Sequence, residues 1–190
     1  IYSIAEKKKM VSERIAASAE LFLTTGNIKY LSDIVSQKEY ILANMSRTAW
    51  AVGMVYDKIT DPVFRKDMDK AVRDLAVQLD KEAASTPFGV PYKPDVWGDG
   101  WTIQSTGVRY YFLLTGFPGV FKPDRIYNSV QFVLGCHPGE NTASFASGVG
   151  VKSLTAAYGV NRADLSYIPG GVASGTAIIR PDLPELKDNW

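Results

Sequence analysis

The sequence predicts an all-α fold, and three observations indicate it. In the first 86 residues, apolar side chains recur every three or four positions in four successive stretches, which is the spacing of one face of a helix. Residues that interrupt helices are rare there, since fourteen of the 16 glycines and nine of the ten prolines lie at or after Pro87. Two further helical stretches follow Pro87. We therefore expect one domain whose later helices are joined by long loops, and such loops are more often functional than idle.

The first two predicted helices follow each other closely. The first covers residues 10–23, and Gly26 is its expected stop. Asn27 can cap the second helix, because its side-chain oxygen can accept hydrogen bonds from the free backbone N–H groups of the first turn. The apolar residues that define the two faces are Met10, Ile15, Ala19, Phe22 and Leu23, then Tyr30, Leu31, Ile34, Val35 and Ile41.

Two more helices precede the change in composition. Ser46 is the candidate cap of the third helix. Asp61 and Pro62 mark the start of the fourth, because a capping carboxylate followed by proline fits the first turn of a helix. We expect that helix to end near Ser85. The apolar residues of these helices are Trp50, Val52, Val55, Tyr56 and Ile59, then Phe64, Met68, Val72, Leu75 and Leu79.

The second half of the chain is organised around residues 126–150. Helical stretches at 101–115 and 123–134 precede this point, and the second of them stops at Gly135. It runs directly into a polar loop bounded by glycines. The loop contains a titratable trio, Cys136, His137 and Glu140. Neighbours in sequence are not thereby catalytic partners, and a turn at Pro138-Gly139 explains these residues better than a thiol protease does.

The bulk composition excludes several classes of function. Lys plus Arg is 21 and Asp plus Glu is 20, so the net charge of +1 provides no field to attract nucleic acid or an anionic membrane. One cysteine excludes an internal disulfide, and one histidine excludes a histidine-based metal site. We predict no metal and no cofactor. Neither end carries a recognisable start or stop feature, so we expect the chain to be part of a longer polypeptide.

Two tryptophans flank a glycine-rich loop before the helix at 101–115. Trp97 and Trp101 enclose Gly98-Asp99-Gly100, which leaves flat rings beside an open backbone. Such rings suit stacking on a sugar, but each tryptophan could equally anchor the loop to the core.

Arg162 is the most distinctive residue of the last third of the chain. A guanidinium can hold vicinal hydroxyls or a carboxylate through two parallel bonds. The alternative is that Arg162 pairs with Asp164, or with a backbone carbonyl, to hold its loop. Pro169-Gly170-Gly171, with Gly175, predicts a second rigid loop, which we expect to form the rim of a binding cleft shared with Arg162.

Several short motifs occur together in a recognisable order. Trp97-Gly98 precedes a helix, which is followed by Tyr127-X-X-X-Gln131-Phe132-Val133-Leu134-Gly135-X-X-Pro138-Gly139 and then by Ser144-Phe145-X-X-Gly148-Val149-Gly150. This order resembles the C-terminal half of glycoside hydrolase family 9, whose members are largely cellulases. The resemblance runs along the whole chain, and its motifs are concentrated in residues 97–162.

The resemblance implies a fold and a reaction. The fold is an (α/α)6 barrel, a toroid of six helical hairpins, of which residues 1–190 would be the C-terminal portion of a single catalytic domain. The reaction is inverting hydrolysis of O-glycosidic bonds, expected to be in a β-linked glucan, by a base carboxylate and an acid Glu. The family's Asp-Ala-Gly-Asp motif does not occur here, and its acid Glu would follow Trp190. We therefore expect an enzyme whose catalytic carboxylates lie outside this chain, and a secreted or periplasmic location.

The resemblance also implies a set of sugar-binding residues. Arg162 matches the last residue of the family's His-His-Arg motif, while Asn161 replaces a histidine, which leaves the exact polysaccharide open. The expected substrate-binding residues are Trp97, Trp101, Tyr158, Asn161 and Arg162. The expected partners are a polysaccharide or oligosaccharide and the remainder of the same polypeptide, with no nucleic acid and no membrane. Two alternatives stay open: a non-catalytic helical module that binds glycans or a protein, and a polysaccharide lyase using Tyr158 or His137 as base.

Overall fold

The computed structural model describes residues 2–7, 10–86, 88–91, 99–136, 143–154 and 168–173. These residues are mostly helical, which confirms the all-α expectation in its coarse form. The helices are α1 (Tyr2–Lys7), α2 (Val11–Thr25), α3 (Lys29–Ser36), α4 (Lys38–Ala43), α5 (Met45–Gly53), α6 (Pro62–Ala84), α7 (Asp99–Gly116) and α8 (Asp124–Val133). Two short strands are present, β1 (Ala143–Ser147) and β2 (Lys152–Leu154), with a 3₁₀ turn at Tyr56–Lys58. The sequence prediction missed α1 and both strands.

The predicted end of the first helix is confirmed. Gly26 has the left-handed conformation, with φ of 67°, and its N–H donates to the carbonyl of Phe22 at 2.8 Å. This is the bond that closes many helices at a glycine. The side-chain oxygen of Asn27 then accepts from the N–H of Lys29 at 3.1 Å. The N-cap position of α3 is Ile28, so the assignment of Asn27 as the cap is wrong by one residue, although its side chain does bond to the first residue of the helix.

The predicted second helix is two helices, α3 and α4, which meet at Gln37. The N–H of Gln37 donates to the carbonyl of Ile34 at 3.0 Å. Such a bond to the third preceding residue tightens the last turn and ends a helix. The apolar spacing continues through the break, since Ile34 and Ile41 are both fully buried, and for that reason the pattern suggested one helix.

The assignment of Ser46 as a helix cap is wrong. Helix α5 begins at Met45, so Ser46 lies inside its first turn and is exposed. The first hydrogen bonds of α5 go to the carbonyl of Asn44, which accepts from the N–H groups of Arg47 and Thr48 at 3.0 and 3.1 Å. The helix is also shorter than predicted, because it ends at Gly53 and the chain continues into the 3₁₀ turn.

The predictions for the longer helices are confirmed. Helix α6 begins at Pro62, and the carboxylate of Asp61 accepts from the N–H of Phe64 at 2.7 Å, as a helix cap does. It ends at Ala84, next to the predicted end at Ser85. Helices α7 and α8 cover the stretches predicted at 101–115 and 123–134 to within two residues. No helix in the described ranges has the length and apolar character that crossing a bilayer requires.

The chain divides into two compact units. Unit 1 comprises Ile1–Asp80 and Arg109–Pro123, and unit 2 comprises Lys81–Val108 and Asp124–Trp190. The divisions fall within α6 and α7.

The core of unit 1 consists of aliphatic and aromatic side chains from α2 to α6 and from the end of α7 and the turn after it. Its fully buried members include Ile15, Ile34, Ile41, Val52, Phe64, Met68 and Val72. A buried polar group joins α2 to α3: the carboxylate of Asp33 accepts from the guanidinium of Arg14 and from the hydroxyl of Ser18. Because the carboxylate is paired and hydrogen-bonded, its burial is compatible with a stable fold.

The two strands of unit 2 form a parallel pair. Parallel neighbours usually need a crossover of a dozen or more residues, yet residues 148–151 connect β1 to β2 directly. Gly148 and Gly150 have φ of 75° and 84°, a conformation that other residues rarely adopt. The short connection between the two strands therefore depends on these glycines. The register of the pairing is irregular. Ala143 opposes Lys152 and Ser147 opposes Leu154, so a step of four residues along β1 matches a step of two along β2.

Candidate functional site

Trp101 presents an indole ring to solvent in unit 2. It lies in the first turns of α7, and 58% of the residue is exposed, which is rare for so large an aromatic group. Its Nε1–H donates to the carbonyl of Val172 at 3.3 Å. The polar edge of the ring is therefore held by backbone while much of its apolar surface stays accessible. Trp101 therefore does not anchor its loop to the core, which was one of its two predicted roles, and stacking on a sugar stays a prediction.

Val172 is fixed in turn on strand β1. An isolated antiparallel bridge pairs Val172 with Ala146. On one side of this bridge the N–H of Ala173 donates to the carbonyl of Phe145 at 2.7 Å. On the other side the N–H of Ser147 donates to the carbonyl of Gly171 at 3.0 Å. Residues 168–173, which we call the rim loop, are therefore hydrogen-bonded along β1.

The hydroxyl of Ser147 adds a second set of bonds to the rim loop. It donates to the carbonyl of Ile168 and accepts from the N–H of Gly171 at 3.0 Å. The carbonyl of Ser147 also accepts from the N–H of Gly170 at 3.0 Å, and Gly170 has φ of 71°. The part of the predicted second loop at Pro169-Gly170-Gly171 is thus hydrogen-bonded to β1, whereas Gly175 lies outside the described residues. Ser147 itself was not among the predicted functional residues, because a serine gives no sequence signal of which distant carbonyl it will meet.

Strand β1 rests on helix α8 through aromatic stacking. The rings of Phe145 and Phe132 lie 5.2 Å apart and 10° from parallel, and Phe132 contacts Phe88 at 4.7 Å. The hydroxyl of Ser144 donates to the carbonyl of Val133 at 3.2 Å. These contacts attach β1, and with it the rim loop, to the end of α8.

The structure explains why two positions of the motif region, 135 and 150, are occupied by glycine. Gly135 follows α8 with φ of 90°. A Cβ atom on Gly150 would lie 2.5 Å from the carbonyl oxygen of Leu134 and 2.7 Å from the Cβ of Ser144. No side chain fits there, so the close approach of the turn to the end of α8 requires glycine at position 150.

No protein-family model, curated protein or solved structure matches this chain.

Of the five predicted substrate-binding residues, the structure describes one. Trp101 lies at the surface beside the rim loop, whereas Trp97, Tyr158, Asn161 and Arg162 lie outside the described residues. In the loop after α8, Cys136 is an exposed free thiol, and His137 and Glu140 again lie outside them. Within the described ranges, no three His, Cys, Asp or Glu side chains come together in a way that could hold a metal ion.

Exposed polar residues accompany Trp101 on its own helix. Gln104 and Ser105 are both exposed and follow Trp101 by three and four positions, which places them on the same helical face one turn further on. An amide and a hydroxyl beside a flat apolar ring supply both hydrogen bonds and a stacking surface. We call the surface of Trp101, Gln104 and Ser105 the Trp101 platform. It can bind a neutral ring-shaped molecule that has one apolar face and polar edges.

Proposed function

We propose that the Trp101 platform binds a polysaccharide or oligosaccharide, and that the chain is part of a polysaccharide-degrading glycoside hydrolase similar to family 9. The observation that carries the proposal is the exposed indole of Trp101, fixed by its N–H to Val172 of the rim loop. In this proposal residues 1–190 are the C-terminal portion of an (α/α)6 toroid. They supply scaffold and sugar-binding loops, while the acid and base carboxylates come from outside the chain.

The chemistry of the platform favours a sugar over other ligands. A pyranose ring has an apolar face of C–H groups and a perimeter of hydroxyls, so it can stack on an indole while its hydroxyls reach Gln104 and Ser105. A fixed aromatic side chain loses little conformational entropy on binding, because its ring is already held. Trp101 is held in this way by Val172.

The motif residues in and after β1 support the family proposal. Gly150 packs where no side chain fits, and Ser144 donates to the end of α8. In the motif Ser144-Phe145-X-X-Gly148-Val149-Gly150 the named small residues and Phe145 therefore have roles in holding β1, which in turn holds the rim loop. In an enzyme similar to family 9, a motif that holds β1 in this way would also position a sugar-binding loop.

Titration with cellohexaose, a soluble β-linked glucan oligosaccharide, tests the binding proposal. We expect tryptophan fluorescence of the 190-residue chain to change saturably, and Trp101→Ala to weaken binding by about tenfold or more, which corresponds to about 1.4 kcal/mol. The matched control is Tyr127→Ala in α8, since Tyr127 is another aromatic residue of unit 2 and is 61% exposed. Equal losses in the two variants, or no saturable binding by the parent chain, would contradict the proposal.

Product analysis separates the enzyme from its alternatives. We expect the 190-residue chain alone to release no reducing ends from soluble β-glucan, and a longer protein that contains it together with both carboxylates to release them with inversion. A longer protein that binds the glucan without any turnover would instead support a non-catalytic binding module. Products that absorb ultraviolet light through a new double bond would support a lyase.

A further inference from the structure

Unit 1 contains a cavity that the carbohydrate proposal does not use. Its volume is about 380 Å³, within the range of roughly 300–1,000 Å³ typical of small-ligand sites. Three of its lining residues, Arg65, Asp69 and Arg73, follow each other at intervals of four along α6 and therefore share one face of that helix. The opposite wall comes from the end of α7 and the turn after it, residues 115–118 and Val120.

The inner wall of this cavity is apolar and well packed. Val72 is fully buried, and Phe117 and Tyr56 are almost so. The rings of Tyr56 and Phe117 lie 4.6 Å apart, and the guanidinium of Arg65 lies 4.6 Å from the centre of the Tyr56 ring. The shape of this wall is therefore fixed before any ligand binds, which lowers the entropy lost on binding.

Most of the charged groups at the cavity already have partners. Arg65 donates to the backbone carbonyls of Tyr56 and Ile59 at 3.1 and 3.0 Å. One oxygen of Asp69 accepts from the hydroxyl of Tyr56 at 2.6 Å. Asp57 pairs with Lys58 at 2.7 Å. Asp69 is exposed, so its second oxygen remains open to a hydroxyl or amine donor.

Arg73 differs from these groups. It lines the cavity and is exposed, and its side chain makes no hydrogen bond, ion pair or ring contact with any residue of the described ranges. Asp69, one turn earlier on the same face, uses its carboxylate for Tyr56 instead. An unpaired guanidinium beside an apolar wall can bind a carboxylate through two parallel hydrogen bonds.

The balance of charge then selects the ligand class. Two arginines and two aspartates line the cavity. Asp57 is neutralised by Lys58, which lies outside the lining, and Asp69 offsets Arg65, so the positive charge of Arg73 is left in excess. A ligand with one net negative charge would neutralise this excess, whereas a zwitterionic amino acid would not. Asp69 accepts only, so the rest of the ligand should offer hydroxyl donors.

We propose that this cavity binds a small monocarboxylate bearing hydroxyl groups, with its carboxylate on Arg73, a hydroxyl on the free oxygen of Asp69, and its carbon skeleton against Phe117. D-Glucuronate is a suitable probe of this class. D-Glucose is its match without the carboxylate, acetate carries the carboxylate without hydroxyls, and L-serine is the zwitterion. The cavity and the Trp101 platform lie in different units, so either proposal can fail alone.

The test is a nitrogen-15 NMR titration of the full 190-residue chain with each probe. We expect D-glucuronate to shift the amide signals of Gly116 and Phe117 saturably below about 10 mM, with glucose, acetate and serine weaker by about tenfold or more. Absence of saturation by D-glucuronate, or equal binding of glucose or serine, would overturn the proposal. Trp101→Ala should leave the glucuronate titration unchanged.

Two variants locate the interaction. Arg73→Gln should weaken glucuronate binding by about tenfold, because it removes the charged fork but keeps a side chain of similar length. Asp69→Asn should weaken it less. The matched control is Arg47→Gln, since Arg47 is an exposed arginine of unit 1 that does not line the cavity. Equal effects of Arg73→Gln and Arg47→Gln would show a non-specific charge effect and would also overturn the proposal.

Discussion

Gly116 of α7 and Gly53 of α5 approach so closely that neither position has room for a side chain. A Cβ atom on Gly116 would lie 2.5 Å from the Cα of Gly53, and a Cβ on Gly53 would lie 2.5 Å from the carbonyl oxygen of Phe112. Both neighbours are backbone atoms, which cannot move aside as the end of a flexible side chain could. The two glycines therefore set the distance between α5 and the end of α7 within unit 1.

This contact predicts that Gly116→Ala is strongly destabilising. Alanine is otherwise preferred over glycine in a helix by about 1 kcal/mol, so a loss of stability isolates the steric effect. We expect the free energy of unfolding to fall by about 1–3 kcal/mol, as for overpacked cores, measured by urea denaturation. Gly119→Ala is the comparison: nothing lies within 4 Å of its Cβ position, but its φ of 79° should still cost about 1 kcal/mol. A Gly116→Ala protein as stable as the parent would contradict the close approach.

Trp101→Phe separates the two roles of the Trp101 side chain. Phenylalanine keeps a flat ring but loses the N–H that reaches Val172 at 3.3 Å. We expect faster amide hydrogen exchange in the rim loop and a moderate loss of cellohexaose affinity, smaller than that of Trp101→Ala. Exchange and affinity can be measured on the same sample. If Trp101→Phe and Trp101→Ala lose affinity equally, the orientation of the indole matters more than its stacking surface.

The helix ends that could be predicted are those determined by neighbouring residues. Asp61 caps α6 through a bond to Phe64, three positions away, and Gly26 closes α2 through a bond to Phe22, four positions away. Such signals lie within one turn of chain, so the sequence displays them directly. The break at Gln37 and the start of α5 at Met45 depend on how backbone carbonyls compete for N–H groups, which residue types do not reveal.

The strands and the site depend on contacts between distant residues. Strand β1 is composed of Ala, Ser and Phe, of which only Phe favours strands, and its pairing with Val172 appears only in the folded chain. Trp101 could be recognised from sequence as a ring beside glycines, but the loop predicted around it is in part the start of α7, which begins at Asp99. Its hydrogen bond to Val172 could not be predicted, because the two residues lie 71 positions apart. Ser147 had no local signal because its partners lie 21 and 24 positions away. Arg73 had none because the cavity that it lines is completed by residues 115–118.

The contacts of Asp33 indicate that the stability of unit 1 depends strongly on this one carboxylate. Its side chain is 8% exposed and accepts from Arg14 and Ser18. Asp33→Asn keeps the shape but removes the charge, which leaves the guanidinium of Arg14 without its partner in a partly buried site. We expect a loss of about 3 kcal/mol in the free energy of unfolding, the lower end for broken buried pairs. The surface pair of Asp57 and Lys58 is the control, and Asp57→Asn should change stability by less than about 1 kcal/mol.

Tyr56 predicts how the stability of unit 1 changes in alkaline solution. Burial raises the pKa of the Tyr56 hydroxyl well above its usual value, and its hydrogen bond to the carboxylate of Asp69 raises it further. In the unfolded chain the tyrosine hydroxyl loses its proton at about pH 10. Above that pH the folded state holds a proton that the unfolded state has released, so this contribution to stability decreases as pH rises.

Comparison of the parent chain with Tyr56→Phe isolates this effect. Below about pH 9 we expect the parent to be more stable by about 1–3 kcal/mol, because phenylalanine removes a hydrogen bond to a charged acceptor. The difference should shrink as pH rises above the unfolded value. Urea denaturation at several pH values measures it, and ultraviolet difference spectra follow ionisation of the tyrosine directly. Asp69→Asn should keep part of the pH dependence, since burial of Tyr56 is the larger cause. A difference that stays constant to about pH 11 would show that Tyr56 ionises alike in both states.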